Sequence, residues 1–330
     1  MGMSRTLVIG IDGGQSTTRA MIADTEGNLL GLGVGGPANH IHEPGGPERL
    51  RQSLREAVSG ALRSASLPAD TRFAAALCGM TGGGTLVEET CRQELPAEKV
   101  VVMHDTSTAL YCITRGAPGA VVIAGTGSVA YGMNQLGETA SVGGWGYLMG
   151  DEGSAYWIAV QALNACTRAE DGRIPSTWLK RTILTHFGLD SLGALHRLVY
   201  SGQMSRADLA SAARAVSDAA KLGERVAIRI LGSAGRELGL MAVVVLRKLG
   251  MQYQRVNVGI VGGVASAAKP LHEAFRERIY RSTLAEVVAP RFPMVVAAVC
   301  MALEQTGVST GEDVWRRMEE QLPKLGLGNT

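Results

Sequence analysis

Ala120-Val121-Val122-Ile123-Ala124-Gly125-Thr126-Gly127-Ser128-Val129-Ala130-Tyr131-Gly132-Met133 is the stretch on which the fold turns. Ala120–Ala124 reads as a buried strand, a Gly-rich turn follows, and Val129–Met133 reads as a second strand. The glycine spacing also satisfies G-x-G-x-x-A, the fingerprint of a dinucleotide-binding strand-to-helix turn. That fingerprint requires a helix to open at its third position and an acidic residue roughly 20 residues later. Here the chain instead meets another turn at Leu136-Gly137-Glu138 and a third extended run, Thr139–Val142. A hairpin meander, not a Rossmann crossover, is the consistent reading. No G-x-x-x-x-G-K-[ST] is present, which excludes P-loop chemistry.

The same order stands at the start of the chain. Leu7–Ile11 is a strand, Asp12-Gly13-Gly14-Gln15-Ser16 a turn and Thr17–Ala23 a strand; Thr25-Glu26-Gly27-Asn28 then turns into Leu29–Val34. Each meander is later followed by a long helix and a strand that ends in glycines. In the first half these are Glu48–Ser66, with Leu50, Leu54, Ala57, Val58, Ala61 and Leu62 on one stripe, and Phe73–Leu77 running into Gly79-Met80-Thr81-Gly82-Gly83-Gly84. In the second half they are Glu224–Leu249 and Val256–Val261, running into Gly262-Gly263. An internal duplication of this size implies two domains, 1–117 and 118–330, divided where Gly116, Pro118 and Gly119 cluster. The second carries a helical insertion over 152–221, with amphipathic segments at Ser154–Thr167 and Thr177–Phe187. A final apolar helix over 293–305 follows Pro290 and is placed to return to the first half.

Composition narrows the class. At 330 residues with 46% hydrophobic and 19% charged, the chain is globular and long enough for two cores. Lys and Arg number 32 against 30 Asp and Glu, a net charge of +2, with no block of like charges, so no nucleic-acid partner is expected. The longest apolar run, Met294–Leu303, is about half of a bilayer crossing, and no secretory pattern is visible. No membrane partner and a cytoplasmic location follow as expectations. Cys78, Cys91, Cys112, Cys166 and Cys300 are scattered without a C-x-x-C, which suits reduced thiols. The 43 glycines are about twice the usual share and cluster between hydrophobic runs.

Two equivalent Gly-rich turns, Asp12–Ser16 and Gly125–Ser128, would face each other across a cleft between the halves. Glycine lets main-chain N–H groups converge on phosphate oxygens, and Ser16 and Thr126 add hydroxyl donors. Asp12 suits the waters of a Mg²⁺ ion, which seldom has an all-protein cage. Either turn alone reads better as an ordinary tight hairpin; the matched pair favours phosphate. Asp105 follows the strand Val100–Met103 and precedes Thr106-Ser107-Thr108-Ala109, so it either caps a helix or does chemistry. Gly150-Asp151-Glu152-Gly153-Ser154 opens the insertion, where the helix dipole also favours an acid. His40 and His42 lack a third ligand nearby and are not taken as a metal pair.

Asp12-Gly13-Gly14, His104-Asp105, Gly125-Thr126-Gly127-Ser128, Gly143-Gly144-Trp145-Gly146 and Gly150–Ser154 together resemble the N-acetylglucosamine kinases. These are BadF/BadG/BcrA/BcrD-type ATPases of the actin, sugar-kinase and heat-shock-chaperone ATPase superfamily. The resemblance runs from about Leu7 to about Thr306 and is most specific over Gly143–Trp157. It implies an α/β fold of two ribonuclease-H-like domains closing on ATP and an amino sugar, with transfer to the 6-hydroxyl of N-acetylglucosamine. Glucosamine, N-acetylmuramic acid and an activator ATPase are the alternatives. An activator would carry cysteines for an iron–sulfur cluster, and neither Cys78 nor Cys112 sits in such a motif.

By this resemblance Asp105 is the general base, needed because a neutral hydroxyl must lose its proton as it attacks the γ-phosphorus. Asp151 accepts sugar hydroxyls, Trp145 packs on the ring or N-acyl group, and Gly144, Gly146, Ser128 and Asn39 complete the sugar side. ATP falls to Asp12, Gly13, Gly14, Gln15, Ser16, Thr17, Gly125, Thr126, Gly127, Ser128, Gly262 and Gly263, and more loosely to Ala220. Asp12 would hold Mg²⁺ through water. Val129 departs from the pattern: animal N-acetylglucosamine kinases carry an Asn there, so one polar sugar contact is missing. Besides this small-molecule amino sugar, the expected partner is a second copy of the chain in a homodimer.

Overall fold

The computed structural model describes residues 6–38, 41 and 43–327. It falls into two compact units, one running to Cys112 and resuming at Pro290, the other spanning Ile113–Ala289. In the first, β1 (Leu7–Gly13), β2 (Thr18–Asp24), β3 (Leu29–Gly35), β4 (Phe73–Met80) and β5 (Ala97–His104) form one sheet in the order β3-β2-β1-β4-β5. The meander β1-β2-β3 is antiparallel, while β1, β4 and β5 run parallel. Parallel neighbours need crossovers, supplied by α1 (Gly46–Ser64) and α2 (Thr85–Glu94); α3 (Asp105–Thr114) begins directly where β5 ends. The stripe read from the sequence, Leu50, Leu54, Ala57 and Ala61, is the buried face of α1. That face rests on bare backbone: a Cβ on Gly31, Gly33 or Gly35 would overlap the carbonyls of Ala61, Ala57 and Ser53.

The second unit repeats the plan. β6 (Gly119–Ala124), β7 (Ser128–Met133) and β8 (Thr139–Gly143) form the meander. Four helices follow: α4 (Ala155–Glu170), α5 (Leu179–Phe187), α6 (Leu192–Tyr200) and α7 (Arg206–Lys221). Then come α8 (Arg225–Lys248), β9 (Asn257–Val261), a 3₁₀ turn (Gly263–Ser266), α9 (Lys269–Tyr280) and the short β10 (Glu286–Val287). The sheet order β10-β9-β6-β7-β8, with β6, β9 and β10 parallel, mirrors the first. Ser154, Ser191 and Ser205 cap α4, α6 and α7 by accepting N–H bonds from Trp157, Ala194 and Asp208. α8 buries Leu231, Leu238, Val245 and Leu246 in a core shared with Ile158, Ala162 and Val216 of the insertion. Gly235 lets α9 approach closely, since a Cβ there would overlap Leu271 O.

The remaining chain forms α10 (Met294–Gln305) and α11 (Glu312–Gln321). The units therefore do not divide at 117/118. The first ends at Cys112 and takes the chain back from Pro290, because α10 is the cover of its own sheet. Val295, Val296, Val299 and Leu303 are fully buried, and Gly10 has no Cβ because the α10 backbone from Val295 to Val299 lies there. α11 ties onto the β2–β3 corner, where Arg317 donates to Glu26 O (2.6 Å) and the Leu29 N–H donates to Gln321 Oε1 (2.9 Å).

Candidate active site

In the first unit three parallel strands end side by side. Asp12 of β1 lies opposite Gly79 of β4, and Met80 lies opposite His104 of β5. The carboxyl edge of parallel strands is where open α/β sheets take ligands. Asp105 joins this edge as the first residue of α3. Its carbonyl accepts the Thr108 hydroxyl (2.9 Å), and a Cβ on Gly79 would stand within 2.6 Å of the Thr108 methyl, so only glycine lets the first turn of α3 seat against β4. The Asp105 carboxylate lies 2.9 Å from His104 Nδ1, and this contact holds the imidazole pKa above its ordinary value. Thr106 brackets the same nitrogen with its hydroxyl at 3.0 Å.

Asp12 is buried, and desolvation raises its carboxyl to a pKa of about 7. Arg19, facing it across the β1–β2 hairpin, pulls the other way, and the nearby Asp105 charge pushes further up. Its Oδ1 has no hydrogen-bond partner among the described residues. A buried hard oxygen without a partner is the donor that a magnesium ion, directly or through its water, would satisfy. No cluster of three His, Cys, Asp or Glu side chains occurs among the described residues, so such an ion would lean on phosphate and water oxygens. The adjoining turn is clamped from both sides. Gly14 N–H donates to Thr17 O (2.9 Å), Thr81 N–H to Gly13 O (2.7 Å) and Ala38 N–H to Gly14 O (3.0 Å), with Gln15 and Ser16 exposed at its tip.

The second unit builds its own edge. Gly125 N–H donates to Gly127 O (2.9 Å), closing the β6–β7 turn around Thr126. Gly262, with φ 96°, passes beneath the end of β6, where a Cβ would come 2.7 Å from Ala124 O; Gly263 faces open space. Gly150–Ser154 is hydrogen-bonded onto this turn: Ser128 N–H donates to Asp151 Oδ1 (3.1 Å), the Ser128 hydroxyl to Glu152 O (2.8 Å) and Ala155 N–H to Gly125 O (2.9 Å). Asp151 is thus no helix cap; Ser154 has that task, and Asp151 points back at the turn. Gly143, Gly144 and Gly146 all have positive φ and swing Trp145 outward, 71% exposed. Tyr147 pins this loop, edge-on to Tyr156 of α4 at 5.3 Å and beneath the Arg206 guanidinium of α7 at 5.3 Å.

One expected position packs into the core. Ala220 lies inside α7, its methyl spent in the core, one turn beyond Ser217, whose hydroxyl accepts the Ala268 N–H (2.9 Å). Asn39 lies outside the described residues. Arg19 and Gly79 join the site unannounced; counting the hairpin register outward from the Gly13–Gly14 turn would have set Arg19 opposite Asp12.

Comparison with known proteins sharpens the picture. The sequence profile of the BadF/BadG/BcrA/BcrD ATPase family matches residues 9–302. An N-acetylmuramic acid/N-acetylglucosamine kinase of Clostridium acetobutylicum is 33% identical over 276 residues, 82% of this chain and 89% of its own. An N-acetyl-D-glucosamine kinase of Dictyostelium discoideum is 28% identical over 263 residues, 76% of this chain and 82% of its own. A solved candidate N-acetylglucosamine kinase from Chromobacterium violaceum superposes with a TM-score of 0.70 at 26% identity, covering 91% of this chain and 100% of that one.

Proposed function

The chain belongs to the BadF/BadG/BcrA/BcrD ATPase family, and we propose that within it this protein is an ATP-dependent kinase that phosphorylates the 6-hydroxyl of N-acetylglucosamine. The observation that carries this reading is the single hydrogen-bonded block of the second unit, where a turn suited to phosphate and a loop suited to a sugar share three bonds. The Gly125–Ser128 turn offers main-chain donors and the Thr126 hydroxyl to phosphate oxygens, and the clamped Asp12–Thr17 turn does the same in the first unit. Gly262 and Gly263, bare of side chains, take the adenosine. Trp145, Gly144, Gly146 and Asp151 receive the sugar, with Asn39 as a further contact.

Asp105 accepts the proton of the attacking hydroxyl, and His104, at 2.9 Å, orients the carboxylate for it. Asp12 would hold Mg²⁺ by its unpartnered oxygen, directly or through water. When bound, the ion would supply positive charge against the phosphate oxygens as they become more negative. The protein contributes positioning and a fixed field. All five cysteines are free and buried, which supports a reducing, cytoplasmic setting.

N-acetylmuramic acid as a second substrate is favoured by the Clostridium relative and by Val129. The Val129 side chain stands 3.3 Å from where a Cβ on Gly144 would lie, an apolar wall beside the sugar loop. Such a wall discriminates by only ~1–3 kcal/mol between sugars, where a hydrogen-bonding Asn would discriminate more strongly. A coupled ADP-release assay over N-acetylglucosamine, N-acetylmuramic acid, glucosamine and glucose tests the reading, with phosphorus NMR locating the phosphate. Turnover of N-acetylglucosamine at its 6-hydroxyl is expected. ADP release that needs no sugar would move the chain to the activator ATPases.

A further inference from the structure

Three residues other than glycine have a left-handed backbone among the described ones, Ser66, Arg115 and Asp151. Ser66 and Arg115 are exposed, but Asp151 is buried with φ 60°. A side chain held in that conformation inside the protein needs a compensating contact. Asp151 has one in Ser128 N–H, bonded to its Oδ1. The carboxylate also fills the space above Gly127, where a Cβ would come 2.8 Å from Oδ2 and 3.0 Å from Cγ. It therefore braces the Gly125–Ser128 turn, and the Ser128 hydroxyl, donated to Glu152 O, braces it a second time.

We propose that Asp151 is the positioning residue of the nucleotide turn: by holding Ser128 N–H it fixes Gly125–Ser128 in the shape that receives phosphate, before any sugar arrives. Oδ2 is left for a sugar hydroxyl, so the same side chain links the two ligands, and a sugar that immobilises it tightens the hold on the nucleotide. The proposal rests on reading Gly125–Ser128 as a phosphate turn. It goes beyond a sugar contact because it assigns Asp151 an effect in the sugar's absence.

The test uses the full chain and calorimetric binding of Mg²⁺ with a non-hydrolysable ATP analogue, no sugar present. Asp151→Gly removes the carboxylate yet suits the native φ, so the variant keeps its fold; Asp151→Asn keeps an oxygen for Ser128 N–H. Loss of a charge-assisted bond predicts about tenfold weaker nucleotide binding in Asp151→Gly, against about threefold or less in Asp151→Asn. Steady-state kinetics should show the ATP KM of Asp151→Gly raised more than its kcat is lowered. Unchanged nucleotide affinity in Asp151→Gly, with only the sugar KM raised, would overturn the proposal. So would equal losses in both variants. Wild-type protein that binds no nucleotide would instead bring down the kinase reading itself, and this proposal with it.

Discussion

A carboxylate buried as deeply as Asp12 burdens the folded chain at every pH that would ionise it in water. Its pKa rises from 3.8 to about 7, so the folded state binds a proton that the unfolded state has released between those values. The penalty is absent below the lower value, grows between the two, and is complete above the upper, at an order of about 4 kcal/mol. Asp12→Asn should therefore raise the melting temperature, more at pH 8 than at pH 5, while raising the Mg²⁺ concentration needed for half-maximal turnover. A stabilisation equal at both pH values would show that the burial argument is misplaced. Asp105→Asn should behave differently: folding and nucleotide affinity stay near wild type while kcat falls by about 10²–10⁴. Near-normal turnover in that variant removes Asp105 as the base. The place of Asp105 between β5 and α3 is legible in the sequence because a strand, an acid and a helix start follow one another directly, whereas its role as base comes from the family resemblance. Arg19 becomes legible only when the hairpin register is counted outward from the Gly13–Gly14 turn; the inward turn of Asp151 is not legible, since it depends on how chain segments meet, and periodicity carries no record of that.

Among the elements, glycine has two opposite uses that look alike in the sequence. Gly33 stands against the Ala57 carbonyl of α1, so Gly33→Ala should cost about 1–3 kcal/mol in urea unfolding, as overpacked cores do. Gly263 has nothing near its missing side chain. Gly263→Ala should leave unfolding unchanged and weaken only nucleotide binding. If both substitutions prove equally destabilising, the 3₁₀ turn is packed more tightly than described. The period-two meanders and the long α8 announce themselves by their patterning. α11 escapes it because Met318 is the one buried residue of a charged segment, too thin a stripe to read. α9 escapes by opening Lys-Pro, a composition shared with loops.

For the whole molecule, the decisive feature is that α10 belongs to a sheet whose strands were laid down much earlier in the chain. Burying Val295, Val296, Val299 and Leu303 contributes roughly 1.5–3 kcal/mol per side chain, in sum a large part of the 5–15 kcal/mol that typically holds a domain together. A chain ending at Ala289 should lose cooperative unfolding of its first unit, so that trypsin cuts readily before Cys112 and spares 113–289. Equal resistance of both segments would mean that β1 and β4 need no cover. The same arrangement sets a timetable during synthesis. At about 5–20 residues per second, the ribosome needs roughly 10–40 s between releasing the first unit's strands and releasing the helix that closes them. The middle of the chain can fold in that interval while the apolar face of β1 and β4 stands open, a natural client for a chaperone until α10 emerges.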